Sequence, residues 1–257
     1  MARDKRPNKE RLSKTITLYG RNPVLEALND RNLVVDRLHL ADSNRPGAAI
    51  NTMITLAEER GVDLAYHSRK ELSRISRNGK QDQGVAIDVF CPSLSYFDDW
   101  IVGQKTPAEL KLIVLDGITN PQNSGMIIRS CYAAGIDAIL IGTKDMGAFN
   151  PLLVKASAGA ALRAPLVYSQ DLVASLEALR DMGVIICTLA ADSPTSLFHP
   201  DSPKSGAFVL GNETDGVSSQ IRSISNASIS IPMQGQVESL NVAVSTALVA
   251  FRVCNTG

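Results

Sequence analysis

No C-x-x-C pair occurs among these 257 residues, and the four cysteines (Cys91, Cys131, Cys187, Cys254) are scattered, with no histidine at ligand spacing. That pattern speaks against a disulfide frame and against a zinc site, so no metal is expected and the thiols are expected to be reduced, in the cytoplasm. Uninterrupted apolar runs stay well short of the roughly 18 residues needed to cross a bilayer. The N-terminus is polar and basic, without the apolar stretch of a signal peptide, so no membrane partner is expected. Net charge is +0, so a general pull on nucleic acid is not visible in the total. Phosphate-cradling G-x-x-x-x-G-K-[ST] is absent, as are G-x-G-x-x-G after the first strand of the C-terminal region and a G-x-S-x-G elbow. None of the three histidines (His39, His67, His199) stands beside a plausible nucleophile. Hydrolase, nucleoside triphosphatase and dehydrogenase chemistries all lack their parts.

What is present begins with an uneven charge distribution. Within residues 1–14, Arg3, Lys5, Arg6, Lys9, Arg11 and Lys14 face only Asp4 and Glu10, a basic arm suited to phosphate or simply to solvent. From residue 15 to 90 short helices and strands alternate. Pro23–Asn29 has helical spacing, Leu33–Leu40 alternates as a strand, and Ala48–Arg60 reads as an amphipathic helix closed by Gly61. Val62–His67 is a further strand; Ser68 with Glu71 forms a capping box for a helix through Ile75, and Gly84–Phe90 is the last strand. Residues 91–109, with Pro92, Gly103 and Pro107, read as a linker that carries one short helix near Tyr96–Val102.

The rest, residues 110–257, alternates helices with near-continuous apolar strands at Lys111–Leu115, Ala138–Ile141, Val184–Leu189, Ala207–Leu210 and Ser228–Ile231. Such strands predict a parallel sheet covered by helices on both faces. Ser239–Val253 is apolar almost all round and should be buried in the core or at a subunit contact.

Polar residues gather where ligands sit in open α/β sheets, at the carboxyl ends of strands. One segment runs from Asp116 through Gly117, Thr119, Asn120, Pro121 and Asn123 to Arg129, with Asn123 as a candidate helix cap. A second is Leu210-Gly211-Asn212-Glu213-Thr214-Asp215-Gly216, and a third runs from Ile231-Pro232-Met233 through Gly235 to Ser239-Leu240-Asn241. Singly, each has an ordinary explanation as a tight turn, a solvated helix residue or a plain cap.

Together, in this order, they resemble the three signature motifs of the SpoU/TrmH (SPOUT) family of RNA ribose 2′-O-methyltransferases. Residues 19–85 are similar to the family's small L30e-like RNA-binding domain, and 150–160 to the stretch between its first two motifs. The resemblance implies a C-terminal trefoil knot, S-adenosylmethionine as methyl donor, a homodimer and an RNA substrate. It places Arg129 beside the reacting ribose, Ser239 and Asn241 on the target nucleotide, Glu213 in support and Asn123 lining the site. Leu210, Gly211, Ile231, Met233 and Leu240 are implied to hold the cofactor. Similarity is greatest to members acting on a guanosine of bacterial large-subunit ribosomal RNA; transfer RNA, or an inactive RNA-binding member, are the alternatives. Asn212 and Thr214 flank Glu213 where small residues are commoner, and Ala243 stands where serine is frequent, which bears on substrate more than on reaction.

Overall fold

Alternation of apolar residues between Thr15 and Phe90 produces a four-stranded sheet with three helices. The computed structural model describes residues 11, 14–45, 47–143, 151–235 and 237–255, so most of the basic arm, residues 144–150 and Gln236 lie outside the described residues. Two compact units divide after Pro92. In the first, β1 (Thr15–Tyr19), α1 (Arg21–Asn29), β2 (Val34–Ala41), α2 (Ala48–Glu59), β3 (Asp63–His67), α3 (Arg69–Ser76) and β4 (Val85–Phe90) follow in sequence. Strand order is β1-β4-β2-β3, with only β2 and β3 parallel. Leu18, Val24, Leu28, Leu38, Leu40, Met53, Ile87 and Val89 are at most 1% exposed, and each contributes about 1.5–3 kcal/mol of burial. Ser68 and Glu71 make the expected capping box on α3. Helix α1 begins at Arg21, earlier than Asn22-Pro23 suggested, because Pro23 is accommodated in the first turn, where no amide donor is needed. Its last turn is closed by Arg60, whose guanidinium donates to the carbonyls of Ala27, Leu28, Asp30 and Leu33.

One polar cluster sits inside this sheet. His39 Nδ1 lies 2.9 Å from His67 Nε2, His39 Nε2 lies 3.0 Å from Asp88 Oδ2, and the Thr17 hydroxyl donates to Asp88 Oδ1 at 2.6 Å. Burial by itself would raise the Asp88 carboxyl, but the hydrogen bonds from His39 and Thr17 outweigh it and hold the group below the ordinary aspartate range. A depressed folded value contributes stability above the unfolded value of about 3.9, and that contribution is lost as pH falls through the folded value. Asp88→Asn should therefore cost about 1–3 kcal/mol near neutrality. Urea titrations over a pH series should show the difference from the unaltered chain closing below about pH 4.

The second unit holds β5 (Ser95–Tyr96), α4 (Phe97–Val102), β6 (Lys111–Asp116), α5 (Pro121–Ala134), β7 (Ala138–Gly142), α6 (Pro151–Ala156) and β8 (Leu166–Ser169). Then come α7 (Leu172–Asp181), β9 (Ile186–Leu189), β10 (Gly206–Gly211), α8 (Ser219–Ile224), β11 (Ala227–Ile229) and α9 (Val242–Cys254). These strands form one parallel sheet in the order β11-β9-β10-β6-β7-β8-β5. Leu112 and Val114 join one apolar layer, with Leu140, Val167, Leu176, Leu179 and Val209. Ile113 and Leu115, which alternate with them, are equally buried, so both faces are covered as the continuous strands predicted.

Two sequence expectations change here. The stretch 91–109 is not a free linker: from Ser93 on it belongs to the second unit, because β5 pairs with β8 and Leu94 and Phe97 are buried. Helix α9 starts at Val242, capped by Asn241, so Ser239 and Leu240 lie in the loop before it. It is also not buried all round, since Val244 and Phe251, seven residues apart, are 49% and 44% exposed. Among the described residues no helix is long and apolar enough to cross a membrane.

Candidate active site

The chain runs from β6 through β7 to β8 toward one edge, then returns to lay β10 against the other side of β6. The direction reverses between β6 and β10, and the crevice beyond the strands' carboxyl ends at such a reversal is where open α/β sheets bind ligands. A cavity of about 370 Å³ lies there, in the size range of small-molecule sites. Residues following β9 (Leu189, Ala190), β10 (Leu210 to Gly216) and β11 (Ile231, Met233) line it, with Glu238, Ser239, Leu240 and Val242 from the approach to α9.

The loop after β10 is braced on itself. Asn212 Oδ1 accepts from the amides of Thr214 and Asp215 at 2.9 and 2.7 Å, and Asp116 at the end of β6 accepts from the Ser218 amide at 2.7 Å. Asn212, the larger residue where the resemblance led us to expect a small one, is therefore the pivot of this turn. Gly211 is required by space: a Cβ there would lie 1.9–2.1 Å from the backbone of Gly216 and Val217.

Glu213, Asn123 and Asn241 form a chain across three separate elements: the loop after β10, the first turn of α5 and the cap of α9. Asn241 Oδ1 caps α9 by accepting from the Ala243 amide at 2.8 Å, and its Nδ2 donates to Asn123 Oδ1 at 3.1 Å. Asn123 Nδ2 in turn donates to the Glu213 carboxylate. Every amide atom named has the partner its chemistry demands, which fixes the orientation of both side chains. Asn123 is not the cap of α5, as the sequence suggested. Asn120 is, accepting from the Gln122 amide at 2.9 Å, with Pro121 in the first helical position. Asn123 is thereby turned inward and buried.

Of the residues singled out from the sequence, Leu210, Gly211, Ile231, Met233, Leu240, Glu213 and Ser239 all line this one cavity, and Asn123 and Asn241 are bonded behind it. Arg129 is apart. It is exposed on α5, in a stripe with exposed Met126 and Tyr132, and is not among the lining residues. Sequence reasoning missed Ala190 and Glu238. Glu238 sits within the third motif and was readable as an acid beside the cavity; Ala190 follows a strand whose neighbour in the sheet is set by non-local order. None of the four cysteines lines the cavity, and burial pushes Cys91 and Cys187 up to about 12, and Cys131 higher still. Among the described residues no group of three or more His, Cys, Asp or Glu is placed to hold a metal.

Replacing Asn241 separates its two duties. Asn241→Asp keeps a capping oxygen but sets a carboxylate against the Asn123 carbonyl and removes the donor. It should melt within about 1 kcal/mol of the unaltered protein yet break the link to Asn123 and Glu213 and with it most of the activity of the site. Asn241→Ala should lose both, with about 0.5–2 kcal/mol of stability.

The fold and this cavity define an α/β enzyme core for a small cofactor, joined to a smaller α/β domain. Residues 111–251 match the SpoU rRNA Methylase family, and residues 17–94 match RNA 2′-O ribose methyltransferase substrate binding. A protein of Mycolicibacterium vanbaalenii described as an uncharacterized tRNA/rRNA methyltransferase is 31% identical over 249 residues, 96% of this chain and 79% of that one. The SpoU methyltransferase AviRb from Streptomyces viridochromogenes, solved in complex with AdoMet, shares the fold at TM-score 0.62 and 20% identity, covering 97% of this chain and 93% of that one. An AdoMet-bound rRNA methyltransferase from Sinorhizobium meliloti does so at TM-score 0.59 and 20% identity, covering 94% and 87%. The chain belongs to the SpoU rRNA Methylase family, and it is an RNA methyltransferase.

Proposed function

We propose that this enzyme methylates the ribose 2′-hydroxyl of a guanosine in large-subunit ribosomal RNA, in the cytoplasm, as a homodimer with the family's C-terminal trefoil knot. The observation that carries the site assignment is the Asn241–Asn123–Glu213 chain, which ties all three motif loops to one cavity.

The cavity suits S-adenosylmethionine. Leu210, Ile231, Met233 and Leu240 offer an apolar wall, the absence of a Cβ at Gly211 leaves the backbone close, and among the described residues Glu213, Asp215 and Glu238 set three carboxylates against the guanidinium of Arg222. That balance favours a ligand bearing a sulfonium and an ammonium. When bound, the cofactor supplies a methyl group already electrophilic, so no metal is required. The protein's part is to align the 2′-oxygen and to stabilise negative charge on it as its proton passes to solvent water. Ser239 holds the nucleotide, and Glu213 is kept in place through Asn123.

Arg129 fits the remaining role if it serves the cavity of the second copy. It stands between exposed apolar Met126 and Tyr132 on α5, and α9, packed against α5, exposes Val244 and Phe251. Apolar stripes of this kind mark contact surfaces, and a two-fold contact through them would carry each Arg129 toward its partner. A guanidinium scarcely deprotonates near neutral pH, so Arg129 acts as a cation that grips phosphate and the developing oxyanion, not as a base. Val244→Glu with Phe251→Glu should yield a monomer in analytical ultracentrifugation, folded but with activity reduced at least about tenfold.

Transfer of labelled methyl to unmodified ribosomal and transfer RNA in parallel, followed by alkaline hydrolysis, tests the whole reading. Label in a resistant dinucleotide of ribosomal RNA is the expected result. Label in transfer RNA would overturn the substrate, and label in neither would leave an RNA-binding protein without this activity.

A further inference from the structure

A second cleft, of about 490 Å³, opens in the small unit and is lined by Arg21, Ser43, Asn44, Arg45, Arg69 and Gln83. These residues come from four segments separated in sequence: the start of α1, the turn after β2, the start of α3, and the connection that leads into β4. Cross-bonds hold the segments together. The Arg21 amide donates to Gln83 Oε1 at 3.1 Å, and Asn44 Nδ2 donates to the Gly84 carbonyl at 2.8 Å.

Its charge is one-sided. Among the described residues no carboxylate lines the cleft. Arg21 and Arg45 are exposed and make no ion pair among the described residues. Arg69, 55% exposed, rests 3.8 Å from Asp82, whose carboxylate is buried and already accepts from the Ser76 hydroxyl and the Gly84 amide at 2.9 Å each. Asp82 therefore anchors Arg69 without quenching the cleft. Arg21 and Arg45, without counter-ions, and Arg69, held only at 3.8 Å by a carboxylate with two other donors, leave the cleft an excess of positive charge, and an anion with several oxygens, which guanidinium forks grip in pairs, relieves it.

We propose that this cleft is the seat of RNA backbone phosphates, and that the small unit contributes affinity through it without choosing the nucleotide to be methylated. The proposal rests on the RNA-methylating reading of the chain and adds where, and by what chemistry, the substrate is held. The lining favours phosphate over base edges. It lacks any acceptor side chain beyond Asn44, Ser43 and Gln83, and has no aromatic surface on which an unpaired base could stack. An RNA backbone is preferred to a free anion because the guanidiniums are spread around an open cleft rather than focused on one buried point.

The test uses the full chain and an unmodified large-subunit ribosomal RNA transcript, with filter binding over a potassium chloride series. Arg21→Ala/Arg45→Ala/Arg69→Ala should bind at least about tenfold more weakly at low salt, with a salt slope shallower by about 2–3. A charge-matched control, Arg31→Ala/Arg74→Ala/Lys105→Ala, should change the slope by less. With saturating RNA the cleft variant should keep its kcat and the same methylated nucleotide, with KM for RNA raised. Arg45→Glu alone, on an exposed turn, gives the same direction of effect should the triple variant fold poorly. An affinity and slope equal to the control's, which would leave the cleft to an acidic protein or another ligand, would overturn the proposal; so would a shift in the methylated nucleotide. If the unaltered chain methylates no RNA yet the cleft variant loses binding, the methyl-transfer reading falls and the phosphate seat stands.

Discussion

An Arg129→Ala enzyme is expected to bind S-adenosylmethionine as the unaltered chain does and to transfer methyl about 100- to 1,000-fold more slowly. That is the usual cost of removing one donor aimed at a developing oxyanion. The two halves of the expectation come from different observations. Cofactor binding is spared because Arg129 does not line the cavity, and folding is spared because it lies exposed on α5. Turnover falls because, among the described residues, the cavity offers only Arg222 as a cation, and Arg222 is already committed at Nε to the Val217 carbonyl at 3.0 Å. Arg129→Lys should recover part of the rate, since an ammonium replaces the charge but not the paired donors. Mixing Arg129→Ala with Leu240→Glu, which blocks the cavity, separates the two possible geometries. If Arg129 serves the partner's cavity, re-equilibrated heterodimers carry one complete site each and recover about a quarter of the normal activity. If it serves its own, no heterodimer has a complete site and the mixture stays inactive.

Legibility in the sequence followed the range of the interaction. Local signals were read well: the Ser68–Glu71 capping box, the apolar strands β6, β7 and β10, and the existence of a covered parallel sheet are all set by residues a few positions apart. Strand β8 was passed over because it has only four residues after Pro165, and β5 because it has two. Neither shows a period; both exist because neighbours in the sheet pair with them. The cap of α5 was placed three residues late although Asn120-Pro121 signalled it, and that error hid the more useful fact that Asn123 turns inward to Glu213. The residues that line the cavity were legible where they lie in contiguous motif loops. Ala190 was not, since its place in the cavity depends on β9 lying beside β10, an order that no local pattern encodes. The arginine cleft was illegible for the same reason: Arg21, Arg45 and Arg69 are unremarkable along the chain and converge only when β1, β2 and β4 pair.

Gly211→Ala is the other substitution with a large expected effect, and it acts by crowding. The added methyl would sit 1.9 Å from the Gly216 carbonyl carbon, 2.0 Å from its oxygen and 2.1 Å from the Val217 amide nitrogen. Backbone atoms cannot rotate away as a side-chain tip does, so either the end of β10 or the loop 212–217 must move. Strand β10 is the less able to yield, being paired on both sides by β6 and β9 and filled with Phe208 and Val209 at no more than 1% exposure. The loop therefore shifts, against its Asn212 turn and the Asp116–Ser218 bond. Overpacking of this kind costs typically about 1–3 kcal/mol, which a chain of this size can survive, but the displaced loop carries Glu213 and a wall of the cavity. Calorimetry should find a folded protein whose cofactor affinity has dropped at least about 100-fold, roughly the 3 kcal/mol of distortion read out at the site. Gly235→Ala is the matching control: its φ of +70° makes a side chain strained by about 1–2 kcal/mol, but nothing lies within 4 Å of the new atom. It should lower the melting point slightly and leave the Gly211 side of the cavity unchanged. Full cofactor affinity in Gly211→Ala would mean that the methyl donor lies elsewhere, because this cavity cannot keep its shape around that methyl group.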